Sequence, residues 1–190
     1  IDYSKGTRIL NQSMFEMVIS YIFSASNNIP RIENSIERLS QLYGNKLEFE
    51  NNIYYSFPTK EQLKNVTEEE YREKIRIGFR APYVEDTTKK ILSGEYNLDN
   101  IKGMETDIAR KELLKLQGIG PKVADCILLF SMKKKDVFPI DTWIEKVMKK
   151  YFNNETLNKK QMQEKIDEEF GKSKGIINHY MFYWGRENKI

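Results

Sequence analysis

An all-α fold in two helical lobes is the prediction from this sequence, and three observations carry it. Apolar residues recur at helical spacing along most of the chain. Strand-type alternation is almost absent. Two helical patterns meet at a Gly-x-Gly turn, Leu116-Gln117-Gly118-Ile119-Gly120-Pro121-Lys122. A further helix starts soon after, behind Pro139-Ile140-Asp141.

Residues 10–23 form the first predicted helix, with Met14, Phe15, Met17, Val18, Tyr21 and Ile22 spread broadly enough for burial. Asn27 and Asn28 break it. Pro30 suits the first turn of a second helix. Ile32, Ile36, Leu39 and Leu42 share one face of that helix, and Gly44 stops it. Residues 45–56 read as an irregular excursion. Short helices are expected at 59–63 and 67–74; Thr67-Glu68-Glu69-Glu70 has the capping-box form. Residues 77–83 form a loop before a helix at 84–93, and a short helix follows at 98–101. A helix-hairpin-helix spans about 106–131, followed by the basic connector Lys133-Lys134-Lys135. The last three helices are expected at 141–152, 158–170 and 175–183. The hairpin and Asp141 are expected in the groove between the two lobes. No repeats or low-complexity segments interrupt the pattern.

The 190 residues suffice for one good core or two lobes. Apolar content of 39% and charged content of 31% are ordinary for a soluble globular protein. A net charge of +3 permits a polyanionic partner without demanding one. A single cysteine rules out an internal disulfide framework and a four-cysteine iron–sulfur cluster. One cysteine with one histidine also argues against zinc, so no metal site is expected. No run reaches transmembrane length and no signal peptide is read, so a cytoplasmic protein without membrane partners is expected. The chain opens on Ile1 in mid-pattern, and we expect a fragment of a longer protein.

Lys122 and Asp141 are the candidate catalytic pair. Glycines let the hairpin backbone take positive φ and approach other groups closely. The amides of the following helix N-terminus, and those of Gly118 and Gly120, are then available to a phosphate. A lysine amine can attack a sugar C1′ once it is neutral, and Lys122 lies near the positive end of a helix dipole, which acts in that direction. A lysine at a helix start is more often simply solvated; the surrounding string singles this one out. Asp141 precedes Thr142-Trp143-Ile144-Glu145 and suits an N-cap, a role compatible with a fixed catalytic carboxylate. Asp125 reads as structural. Cys126 lies one turn beyond Lys122 on the same face, where most free cysteines are buried packing residues.

The motifs extend beyond the hairpin. Phe23-Ser24-Ala25-Ser26-Asn27-Asn28-Ile29-Pro30-Arg31, Gly78-Phe79-Arg80-Ala81-Pro82-Tyr83-Val84, Gly118 to Cys126 and Pro139 to Asp141 occur in that order. Together they resemble the 8-oxoguanine DNA glycosylase/AP lyases of the helix-hairpin-helix (HhH-GPD) superfamily, in a bacterial form of the eukaryotic-type family. The resemblance implies a Schiff-base nucleophile at Lys122 and a catalytic acid at Asp141. It places Cys126 and Phe182 on either side of a flipped base, Phe130 lining the same pocket, and Asn178 on the base's Watson–Crick edge, where the family has glutamine. Ser26, Asn27, Asn28 and Arg31 would fill the vacated stack and read the orphaned cytosine, with Arg80 assisting and Phe79 as an apolar wedge. Wedges and pockets offset a base-flipping cost of about a few kcal/mol. Ser26 stands where the family usually has asparagine, Phe79 replaces a tyrosine, and Trp143 stands where histidine is common. Lys133 to Lys135 are as readily a solvated connector as a contact to the DNA backbone.

The resemblance further implies a monomer working at the bacterial nucleoid on duplex DNA containing a damaged base. It implies no cofactor beyond a monovalent cation on the hairpin carbonyls. The family's N-terminal antiparallel domain has no match here and is expected upstream. The leading expectation is a bifunctional glycosylase/AP lyase that excises 8-oxoguanine in base excision repair. A glycosylase for another damaged base is the first alternative; monofunctional alkylation-repair members typically lack the lysine. A non-catalytic DNA-binding hairpin module is the second, and it would need neither Lys122 nor Asp141.

Overall fold

The structure, a computed structural model, describes residues 6–188. Its elements run α1 (Met14–Ser24), α2 (Ile29–Tyr43), β1 (Lys46–Phe49), β2 (Asn52–Tyr55), α3 (Glu68–Glu70) and α4 (Ala81–Ser93). They continue with α5 (Leu98–Gly103), α6 (Thr106–Leu113), α7 (Pro121–Met132), α8 (Thr142–Tyr151), α9 (Lys159–Phe170) and α10 (Lys174–Glu187). The described chain divides into two compact units. One holds Ser13–Met104 and Lys111–Ile119; the other holds the described residues up to Gln12, Glu105–Arg110 and those from Gly120 onward.

In the first unit α1 packs against α2 and α4. Val18, Ile19, Ile22 and Phe23 of α1, Leu39 of α2 and Val84 of α4 are all fully buried. Asn28 caps α2, its side chain accepting from the Arg31 amide, and Gly44 ends it. Thr67 and Glu70 form the predicted capping box.

Three expectations fail locally. Residues 45–56 are not irregular: β1 and β2 pair antiparallel with Leu47 opposite Tyr54. Glu50 and Asn51 both take positive φ, 47° and 61°, as a type I′ hairpin turn requires. No alternation betrayed these strands because nearly every residue on both faces is exposed. The expected helix at 59–63 is a run of turns. Leu63 N–H reaches the Thr59 carbonyl, but Lys64 and Val66 bond only three residues back, to Glu61 and Leu63. The helix at 67–74 keeps only its first turn as α-helix; Tyr71–Ile75 widens to a π turn that Arg76 closes at φ 66°.

In the second unit a connector runs from α7 to α8, and α10 holds it. Lys133 ends α7 at φ 58°. The Gly175 amide donates to the Lys135 carbonyl at 2.8 Å. A Cβ at Gly175 would lie 2.9 Å from that carbonyl, 3.0 Å from the Val137 carbonyl and 2.7 Å from Leu129 Cδ1. One turn on, buried Asn178 donates from Nδ2 to the Pro139 carbonyl at 2.9 Å. At the far end of the same face, a Cβ at Gly185 would come within 2.4 Å of Val147 Cγ2 on α8. The spacing Gly175, Asn178, Phe182, Gly185 is that of one helix face. Phe138, Ile144, Met148, Leu157, Met162 and Ile166 form the apolar cluster beside it. Phe170 stacks on Phe138 with centroids 6.2 Å apart.

Gly175→Ala should lower stability by about 1–3 kcal/mol, because two of the three obstructing atoms are backbone oxygens. Gly103→Ala, where an added Cβ meets nothing, is the control. Urea denaturation should show the loss only at Gly175; equal midpoints for the two variants would contradict the close approach.

Candidate active site

The hairpin joins α6 to α7. Gly118 has φ +87°, and a Cβ there would lie 3.0 Å from Tyr83 Cδ2 and 3.4 Å from Ile22 Cγ2. It is glycine for both backbone and packing reasons. Gly120 is extended and stands at the N-cap of α7 with no side-chain cap. Pro121 opens α7, its missing N–H sparing a donor that the helix start could not satisfy internally. Lys122 follows, half-buried in the first turn, and Cys126 is buried one turn further along. Asp125 is structural, as expected: its Oδ1 accepts from Arg110 Nε at 2.6 Å, tying α7 to the start of α6.

Asp141 is the N-cap of α8. Its Oδ1 accepts the Ile144 amide at 2.7 Å, and its carbonyl accepts the Glu145 amide at 2.8 Å. The carboxylate is therefore fixed in direction and only half-buried. Lys122 and Asp141 belong to the same unit, at the starts of α7 and α8, with the α10-held connector between them. Trp143 is exposed, with Lys146 Nζ 5.7 Å from its ring centroid.

Phe130 and Phe182 belong to this unit too. Phe130 is half-buried on α7, its ring 5.9 Å from that of His179 in an edge-to-face arrangement. Phe182 is half-buried against the Phe138 cluster. Asn178 is 5% exposed with its amide on the Pro139 carbonyl.

The remaining expected residues lie in the other unit. Ser26 is exposed and left-handed at φ 48°. Asn27 bonds locally, donating to the Phe23 carbonyl at 3.0 Å and accepting the Asn28 amide at 3.0 Å. Arg31 is exposed on the first turn of α2. Arg80 is buried and clamps this loop. It donates from Nε to the Ala25 carbonyl at 2.6 Å, from Nη2 to the Ala25 and Ser26 carbonyls, and from Nη1 to the Ile77 carbonyl. Burial, and then the charge of Arg31, push its pKa down from the usual arginine value. Phe79 is 51% exposed. It is braced by the edge of Tyr83 at 6.3 Å and by the Arg80 guanidinium 4.3 Å from its centroid. An exposed, two-sided brace of this kind presents an aromatic ring rather than burying it.

Residues 19–172 match the family model described as HhH-GPD superfamily base excision DNA repair protein. The chain belongs to this superfamily. A Methanothermobacter thermautotrophicus protein named as a probable N-glycosylase/DNA lyase is 34% identical over the whole chain and 67% of its own length. The N-glycosylase/DNA lyase of Saccharomyces cerevisiae is 31% identical over 77% of this chain and 42% of its own. A crystal structure of the Clostridium acetobutylicum 8-oxoguanine glycosylase/lyase, in complex with duplex DNA containing cytosine opposite 8-oxoguanine, superposes with a TM-score of 0.93. It is 43% identical, over all of this chain and 65% of that one. The chain thus spans about two thirds, or less, of the length of these relatives. The superfamily fold agrees with the all-α expectation, apart from the small β1–β2 hairpin.

Sequence reasoning missed three contributors. Tyr83 braces Phe79 and crowds Gly118; an aromatic four residues from another on a helix start was the available signal. Arg110, the partner of Asp125, lies across the hairpin and has no local signal. His179 follows Asn178 and packs its edge on Phe130; its being the chain's single histidine was the only cue. Burial pushes the His179 imidazole below its usual range. A depressed imidazole pKa contributes stability that is complete above the unfolded value, about 6.5, and is lost as pH falls through the folded one. Melting curves from pH 7.5 to 5 should show wild type losing stability that His179→Phe keeps. Parallel pH dependences for the two proteins would contradict the assignment.

Proposed function

We propose that this chain is the catalytic core of a bifunctional DNA glycosylase and AP lyase that excises 8-oxoguanine from duplex DNA in base excision repair. The observation that carries the reading is that Lys122, at the start of α7, and Asp141, whose carboxylate caps the start of α8, fall in one unit. The similarity to the N-glycosylase/DNA lyases supports it, as does the clostridial glycosylase/lyase bound to 8-oxoguanine DNA.

In this reading Lys122 Nζ attacks the sugar C1′ of the damaged nucleotide. The new C–N bond forms as the bond from C1′ to the base breaks, and the electron pair leaves with the base, which takes up a proton. Positive charge develops on the sugar in between, and the Asp141 carboxylate, aimed by its bond to the Ile144 amide, stabilises it. The attacking nitrogen gives up a proton, and its lone pair forms the C1′=N bond of the Schiff base as the C1′–O4′ bond opens and O4′ takes up a proton. Loss of a C2′ proton then breaks the C3′–O bond, expels the 3′-phosphate and cuts the strand. Cys126, Phe130 and Phe182 line the pocket for the flipped base.

Ser26, Asn27, Asn28 and Arg31 face the orphaned base, on a loop that Arg80 holds by its carbonyls. Phe79 is the wedge. Amides of Gly118, Gly120 and the first turn of α7 bind phosphate, which positions the duplex without reading sequence. Lys133 to Lys135 add charge near the end of α7. The enzyme works as a monomer in the cytoplasm; among the described residues no helix is long and apolar enough to cross a membrane.

A duplex with a single 8-oxoguanine opposite each of the four bases tests the reading. Wild type should cut the strand. Lys122→Ala should lose cleavage by more than about a thousandfold. DNA affinity should change by less than about threefold, because phosphate contacts dominate it. Unchanged cleavage in Lys122→Ala, or duplex binding by wild type with no cleavage of any pair, would overturn it.

A further inference from the structure

We propose that Asn178 is a positioning residue for Asp141, acting through the backbone of Pro139 rather than on the damaged base. The inference rests on the glycosylase/lyase reading above. Asn178 is 5% exposed, and its amide Nδ2 is 2.9 Å from the Pro139 carbonyl. Pro139 is itself buried and stands two residues before Asp141. The peptide that Asn178 holds therefore leads directly into the N-cap whose Oδ1 accepts the Ile144 amide.

Asn178 is the α10 side chain that holds this peptide. The neighbouring contact, from the Gly175 amide to the Lys135 carbonyl, lies four residues earlier in the connector. Pro139 has no N–H of its own with which to anchor the segment to a neighbour. Its carbonyl is thus the remaining backbone handle at that residue, and a buried carbonyl left without a donor is costly. The side chain at 178 is also one methylene shorter than a glutamine, and that shorter arm is spent on the connector.

The two roles separate on DNA that carries no base. An abasic duplex still needs Lys122 and Asp141 but offers nothing for a base-edge contact. In the proposed role, Asn178→Leu slows borohydride trapping and strand cleavage on abasic DNA by about tenfold or more, since small misplacements of a catalytic group are expensive. It slows lesion DNA by a similar factor, in kcat and not in KM. In an Asp141→Asn background the same change has little further effect, as expected when one residue acts through another. In the DNA-free protein the Ile144 amide exchanges faster, because its acceptor has lost its fixed direction. Asn178→Ser is read in the same way if the leucine variant does not fold.

Slower excision of 8-oxoguanine with an abasic rate within twofold of wild type would overturn the proposal and return Asn178 to the base edge. Multiplying effects in the Asp141→Asn background would also overturn it. Wild type that neither cleaves nor traps would sink the enzymatic reading itself. Unchanged Ile144 exchange in an otherwise folded variant would sink the positioning contact alone.

Discussion

The unit that holds Lys122 and Asp141 depends on one face of α10 being narrow enough to lie directly on the backbone of the α7–α8 connector. Gly175 admits the Lys135 and Val137 carbonyls to distances that a methyl group could not share. Gly185 does the same for Val147 on α8. Between them Asn178 places one donor on Pro139. Lys122 and Asp141 stand at the starts of the two helices that this connector joins. Close approach of this kind is intolerant of volume, as dense interiors are.

A second economy runs through the other unit. Side chains that the family resemblance assigns to DNA are already employed in holding their own loop. Asn27 closes the end of α1, Asn28 caps α2, and Arg80 gathers the carbonyls of Ala25, Ser26 and Ile77. A buried guanidinium satisfied only by neutral carbonyls resists movement, because each bond surrendered leaves charge in a poorly solvated place. Ser26 is left exposed in a left-handed conformation that serine adopts less readily than asparagine or glycine. Phe79 stands out beside it, supported from two sides. The loop is thus pre-shaped: Ser26, Asn28, Ile29, Pro30 and Arg31 stay exposed along it, and Phe79 stays exposed on the turn that carries Arg80.

Much of this was legible in the residues. The helix stops at Gly44, the capping box at Thr67, the hairpin glycines and the cap at Asp141 are local signals, and each appears where it was read. Ordered motifs singled out Lys122 and Cys126 as candidates, and both lie on α7, one turn apart. What stayed hidden was non-local or unpatterned. The β1–β2 hairpin buries neither face, so it carries no alternation. The π turn after α3 has no distinct composition. The bond from Asn178 to Pro139 joins residues 39 apart in sequence, and no spacing rule anticipates it. The same holds for Arg110 with Asp125 and for His179 against Phe130.

The most direct test of the central claim is to map the covalent adduct. Wild-type protein would be mixed with a duplex bearing 8-oxoguanine opposite cytosine, reduced with borohydride, digested and sequenced by mass spectrometry. A single cross-linked peptide with the DNA remnant on Lys122 is expected. An adduct on Lys133, Lys134, Lys135 or another amine, or no adduct alongside strand cleavage, would contradict it.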